Sequence, residues 1–155
     1  MEQELHTELF DIRRVAAEDR ELFNDVVAAE YLMRKLHKVD PEIASKVYWE
    51  TIAEDKEDIN YSVFLKNGDL LGRVALQGIG ENVPELAIVI VEKYQGQGYG
   101  AKLLKEWLNW VCKNMGYNRI NVKIDNSNTR SKRLFKKIGA IVDDEDDIIY
   151  CHINL

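Results

Sequence analysis

Six consecutive residues, Gln95-Gly96-Gln97-Gly98-Tyr99-Gly100, carry the strongest chemical signal in the chain. Glycine at every second position lets the backbone bend tightly enough for several main-chain N–H groups to converge on one point. The turn follows a short continuous apolar run, Leu86-Ala87-Ile88-Val89-Ile90-Val91, whose composition predicts a strand buried on both faces. Directly after it, Leu103, Leu104, Trp107, Leu108, Trp110 and Val111 recur at helical spacing. Strand, glycine turn and helix together make an anion site, because the free N–H groups of a helix start lie at the positive end of its macrodipole. A pyrophosphate there would accept hydrogen bonds from the amides of Gln97, Gly98, Tyr99, Gly100 and Ala101, each worth on the order of 1.5–3 kcal/mol. The plainer alternative is a loop whose glycines only relieve crowding. A dinucleotide fingerprint would need a third glycine where Leu103 stands, although Asp125 could imitate its acidic ribose partner. The string of a nucleotide P-loop does not occur.

The elements that must hold this turn can be read around it. Glu8–Val15 alternates loosely as a strand, and a helix follows from about Glu18 with Leu22, Phe23, Val26 and Val27 on one face. Asp40-Pro41 is a helix start, an N-cap carboxylate followed by proline in the first turn. Strands Ile59–Lys66 and Leu70–Gln77 flank Asn67-Gly68-Asp69, a turn with hairpin chemistry. Beyond the glycine helix come a strand at Arg119–Ile124 and a basic helix over about Ser127–Lys137, ending at Gly139. Asn128 and Ser131, at its start, suit ordinary helix capping. The last hairpin reads as Ala140–Val142, an acidic turn Asp143–Asp147, and Ile148–Ile153. The order β-α-α-β-β-β-α-β-α-β-β predicts a mixed, mostly antiparallel seven-stranded sheet with helices on both faces. Strands joined by tight turns run antiparallel, and those joined through a helix run parallel.

Composition bounds the function. The chain has 155 residues, 46% hydrophobic and 31% charged, which fits one globular domain over residues 1–155. Its 27 acidic against 21 basic residues give a net charge of −6, a poor footprint for nucleic acid. No apolar run approaches the roughly 18 residues of a membrane span, and Met1-Glu2-Gln3-Glu4 lacks the features of a signal peptide. Cys112 and Cys151 are isolated, and His6, His37 and His152 are scattered, so neither a disulfide framework nor a metal site is expected and a reducing cytoplasm fits.

These residues resemble the GCN5-related N-acetyltransferase superfamily. Its pyrophosphate motif, [Q/R]-x-x-G-x-[G/A], is matched at every fixed position by Gln95 to Gly100. A second signature resembles Asn128-Thr129-Arg130-Ser131 through Leu134-Phe135-Lys136-Lys137-Ile138-Gly139-Ala140. Glu85-Leu86-Ala87 and Ile12-Arg13-Arg14 with Glu18-Asp19 look like the Rim-type N-terminal acetyltransferase branch. The resemblance implies the acyl-CoA N-acyltransferase fold, with acetyl-CoA between the splayed fourth and fifth strands. The pyrophosphate would rest on residues 97–101, within the turn from Gln95 and Gly96 onward. Pantetheine would pair with backbone at Val89, Ile90 and Val91, Asn128 would hydrogen-bond it, and Ser131 would lie near the thiol.

Acetyl transfer to an amine requires a neutral nucleophile, a polarised thioester carbonyl and a proton for the leaving thiolate. Glu85, at the entry to the central strand, is the candidate base, and a main-chain N–H near Ile90 is the candidate polarising group. Many relatives carry a tyrosine acid on the last helix where Phe135 stands here. Ser131, a water, Tyr150 or Cys151 would have to substitute. The leading expectation is acetyl-CoA-dependent acetylation of a primary amine, on a small molecule or a protein N-terminus, by direct transfer in a ternary complex. No nucleic acid, membrane or metal is expected, and a homodimer is allowed. Phe135 motivates the alternative of a non-catalytic acyl-CoA-binding module. Tyr31, Tyr48 and Trp49 are candidate lining for the acceptor site, and Asp143–Asp147 a candidate attraction for a cationic amine.

Overall fold

The computed structural model describes residues 4–16 and 58–155. Within them lie β1 (Glu4–His6), β2 (Phe10–Arg14), β3 (Ile59–Leu65), β4 (Leu70–Gln77), β5 (Glu85–Ile90), α1 (Tyr99–Met115), β6 (Arg119–Asp125), α2 (Thr129–Lys137), β7 (Ile141–Glu145) and β8 (Ile148–Asn154). The strands form one sheet in the order β1-β2-β3-β4-β5-β6-β8-β7. Among the described residues, only the β5–β6 pair is parallel; the others are antiparallel. The helices expected from Glu18 and from Asp40-Pro41, and the aromatics Tyr31, Tyr48 and Trp49, lie outside the described residues. No helix among the described residues is long and apolar enough to cross a membrane.

The sheet has eight strands rather than the seven expected. The addition is β1, whose three residues are too short to show a period. It is held by its hairpin: the Thr7 N–H donates to the Phe10 carbonyl at 2.9 Å, and His6 Nδ1 meets Asp11 Oδ1 at 2.7 Å. The acidic run also differs from expectation. Asp143–Glu145 belong to β7, and only Asp146-Asp147 make the turn. A bulge between Val142 and Asp144 lets the ladder continue, and the bulged Asp143 reaches His152 Nδ1 at 2.8 Å and Arg119 at 3.8 Å.

The core explains α1. Its buried side chains are Leu103, Leu104, Trp107, Leu108, Trp110 and Val111, the stripe read from the sequence. The Tyr61 ring of β3 stands edge-on to Trp107 and Trp110, with centroids 5.9 and 5.7 Å away. Rings in this geometry add about 0.5–1.5 kcal/mol per pair beyond burial itself. α2 lies beside α1, where Leu134 packs on Gly100 and Phe135 enters the same core.

Close packing also fixes one glycine in the middle of a strand. Gly72 of β4 lies opposite Ile90 of β5, and a Cβ on it would fall 2.0 Å from the Val89 carbonyl oxygen. Both partners are backbone, so neither can swing aside. Gly72→Ala should therefore destabilise the fold by about 1–3 kcal/mol through overpacking. Thermal unfolding checks this, with Gly80→Ala as the control, since a Cβ at Gly80 meets nothing within 4 Å.

Candidate active site

β5 and β6 start together and part at once. Their ladder holds one registered pair, Glu85 with Asn121, beside a bond from the Asn121 N–H to the Pro84 carbonyl at 2.9 Å. From there β6 follows β8 over its whole length, while β5 follows β4 as far as Gly72 and Ile90. The wedge between them leaves one edge of β5 unpaired. The apolar run is consequently only half-buried: Leu86 alone is buried, and Ala87 to Val91 are partly exposed, which corrects the expectation of burial on both faces.

The register tells which groups face the wedge. The Val91 N–H donates to the Leu71 carbonyl at 2.9 Å, so Ile90, opposite Gly72, belongs to a non-hydrogen-bonded pair and turns its main-chain groups away from β4. By the same alternation Ile88 faces the wedge too. Of the trio Val89, Ile90 and Val91, only Ile90 presents its backbone there; Val89 and Val91 are turned towards β4.

A single 3₁₀ turn, Glu92–Tyr94, links β5 to the glycine turn. Gly96 and Gly98 have φ of +73° and +83°, a left-handed backbone that favours glycine. Gly98 is the N-cap of α1, and no side chain caps the helix. Among the described residues, no hydrogen bond uses the N–H groups of Gln97 to Ala101. The side chains hold the loop instead. Gln95 Nε2 donates to the Ile90 carbonyl at 2.8 Å while its Oε1 accepts from Arg130 of α2. Gln97 Nε2 donates to the Lys93 carbonyl at 3.0 Å. Tyr99 points inward, edge-on to Phe10 and Tyr94 with centroids 6.3 and 5.8 Å away. The Tyr94 hydroxyl donates to Asp69 and, with Lys93, holds that carboxyl below its ordinary value. At Gly100 a Cβ would come within 3.3 Å of the Leu134 side chain, a tight contact that a small shift of Leu134 could relieve.

Uncapped amides at a helix start, a left-handed glycine and an open strand edge suit a phosphate-bearing, amide-bearing ligand such as acetyl-CoA. Residues 97–101 would hold the pyrophosphate, and the edge at Ile88 and Ile90 the pantetheine. Asn128 caps α2, its Oδ1 accepting from the Ser131 N–H at 3.1 Å. Its Nδ2 forms no hydrogen bond among the described residues and remains a donor. Ser131 is partly buried beside it.

Glu85 lies where β5 and β6 meet. Its carboxylate is half-buried, with Oε1 3.2 Å from Lys123 Nζ on β6. Phe135, which the resemblance counts among the cofactor-binding residues, is 4% exposed and packs in the core. Cys151 is buried with Sγ 3.7 Å from the Val122 carbonyl, and burial, then Asp143, push its thiol up. Of the other candidate acids, Tyr150 is exposed on the Lys123 side of β8. Sequence reading missed Lys123 and Arg130. The exposed–buried alternation of β6 is the signal that would have flagged the first. Nothing local flags the second, because Gln95 is 35 residues away.

Comparison with known proteins now defines the class. Residues 10–141 match the family described as "Acetyltransferase (GNAT) domain", and the chain belongs to that family. It is an acetyl-CoA-dependent acetyltransferase. No curated protein sequence matches it. Among solved structures it is similar to a domain from Methanocaldococcus jannaschii DSM 2661, at 20% identity and TM-score 0.77, covering 94% of this chain and 98% of that one. Spermidine N-acetyltransferase from Vibrio cholerae, in complex with CoA and spermine, aligns at 16% identity and TM-score 0.76, covering 96% of each chain. Ribosomal-protein-S5-alanine acetyltransferase from Vibrio fischeri aligns at 18% identity and TM-score 0.71, covering 97% of this chain and 96% of that one. At these identities the likeness concerns the fold.

Acetyl-CoA at about 100 times its Kd should stabilise the protein by about 2.7 kcal/mol, a rise of roughly 5–11 °C in Tm. Gly98→Val should lose that shift, whereas Gly68→Val, at an equally left-handed glycine (φ +91°) in the β3–β4 turn, should lower Tm and keep it. Alkylation at pH 8.5 provides a second check. Cys151, with its thiol pushed up, should react at least about tenfold more slowly in the folded protein than after denaturation.

Proposed function

We propose that this chain acetylates a primary amine, a protein N-terminus or a small-molecule amine, by direct transfer from acetyl-CoA in a ternary complex. One observation carries the reading: the open edge of β5 runs from the glycine turn at one end to Glu85 at the other. A polarising N–H and a carboxylate base thus lie along β5, with the pyrophosphate amides in the turn that follows it. The Ile90 N–H would meet the thioester carbonyl, while Gln95 occupies the Ile90 carbonyl and keeps it from competing.

Glu85 would take the proton of the incoming ammonium, directly or through a water. The demand on it depends on the acceptor. An α-amine costs about 1 kcal/mol to deprotonate at pH 7, against roughly 4.6 kcal/mol for a lysine-like amine. The smaller demand favours the N-terminal, Rim-type reading over a polyamine. Ser131 or Tyr150 would return a proton to the thiolate, itself a tolerable leaving group near neutral pH.

The proposed unit is a single domain over residues 1–155 acting in the cytoplasm. The exposed Ile141, Val142, Ile148 and Tyr150 of the last hairpin support a homodimer, which sedimentation would detect. The burial of Phe135 leaves that position without an acid, so the proton for the thiolate must come from elsewhere in the site.

An amine and N-terminal peptide panel, read by CoA release, identifies the acceptor class, and turnover of polyamines in preference to N-terminal peptides overturns the Rim-type reading. Glu85→Gln should then lower kcat by about 10²–10⁴ while the acetyl-CoA-induced rise in Tm persists; an unchanged kcat would remove Glu85 from the mechanism.

A further inference from the structure

Lys123 holds the relation to Glu85 that an acceptor amine must adopt. Its Nζ is 3.2 Å from Glu85 Oε1, within reach for proton transfer through small motions, and it stands 6.0 Å from the centroid of the Tyr150 ring. The lysine is 57% exposed and the carboxylate 28%, so the amine sits at the open side of the pair. Its backbone position matters equally. Asn121 is level with Glu85, and Lys123 lies two residues further along β6, on the stretch that has parted from β5. It therefore belongs to the stretch of β6 that walls the wedge opposite β5.

We propose that Lys123 is an internal acetyl acceptor, so that in the presence of acetyl-CoA the protein acetylates its own β6. The inference rests on the reading of Glu85 as base. In the step, the Lys123 ammonium gives one proton to Glu85, and the neutral amine attacks the acetyl carbonyl carbon. A C–N bond forms and the thioester C–S bond breaks. The nitrogen loses its second proton as the amide forms, the thiolate takes up one proton to become CoA, and the other passes from Glu85 to water. The product amide carries no charge, so the ion pair with Glu85 ends with the reaction.

The test incubates the full chain with acetyl-CoA and follows each lysine by peptide mass spectrometry. Lys123 should gain one acetyl group at a rate independent of protein concentration. It should react at least about tenfold faster than Lys105 and Lys113, exposed lysines of α1. Glu85→Gln should slow Lys123 by about tenfold or more and leave those two unchanged. Lys123→Arg should abolish the label while keeping the acetyl-CoA-induced rise in Tm, which shows that the variant folds and binds. Labelling of Lys123 no faster than Lys105 and Lys113, or indifferent to Glu85→Gln, overturns the inference. A protein that is stabilised by acetyl-CoA and acetylates external amines, yet leaves Lys123 unmodified, overturns it alone. No stabilisation at all overturns the proposed function as well.

Discussion

The organisation of the molecule follows from one constraint: two parallel strands that hydrogen-bond at their start and cannot continue. Each commits its other edge to an antiparallel neighbour, β5 to β4 and β6 to β8. Antiparallel ladders are somewhat more stable per residue than parallel ones, so the two halves of the sheet keep their own twist and the parallel junction yields. An unpaired strand edge inside a sheet is normally a liability. Here it lies between the glycine turn and Glu85, where a ligand's amides can complete the ladder that β6 does not.

The glycine turn divides its work between backbone and side chains. Gln95, Gln97 and Tyr99 resemble ligand-binding residues in sequence, yet their side chains are engaged with the protein. Gln95 ties the last carbonyl of β5 to α2, Gln97 closes the 3₁₀ turn, and Tyr99 anchors the first turn of α1 in an aromatic cluster. What remains for a ligand is the row of amides. Preorganised donors of this kind need no rearrangement on binding, which is where their advantage over flexible side chains lies.

The parts of this architecture legible in the sequence were those written in local patterns. The Asn67-Gly68-Asp69 turn, the α1 stripe and the strand at Leu70–Gln77 depend on near neighbours, and they appear where expected. The β1 strand has too few residues to carry a period, and the bulge at Asp143 depends on His152 and Arg119, which a window along the chain does not see. The apolar run of β5 misled for an instructive reason. Hydrophobicity reports a strand removed from water, and an edge that lines a cleft reads the same way as one packed in a core. In the site itself, residue type located the amides, but only the register distinguished Ile90 from Val89 and Val91. The pairing of Glu85 with Lys123 joins residues 38 positions apart (123 − 85), beyond any spacing rule.

The place of β8 in the sheet bears on how the protein is made. β8 lies between β6 and β7, although it follows both in the chain. With a single pair to β5, β6 has no lasting partner until residues 148–154 have left the ribosome. Until then the half of the sheet from β2 to β5 can assemble, but the far wall of the cleft stays unfixed, and its apolar Ile120, Val122 and Ile124 remain available to other chains. Completion of the ligand cleft is thereby tied to the emergence of β8. Pauses between the synthesis of β6 and that of β8 are steps at which this fold is open to chaperones or to aggregation.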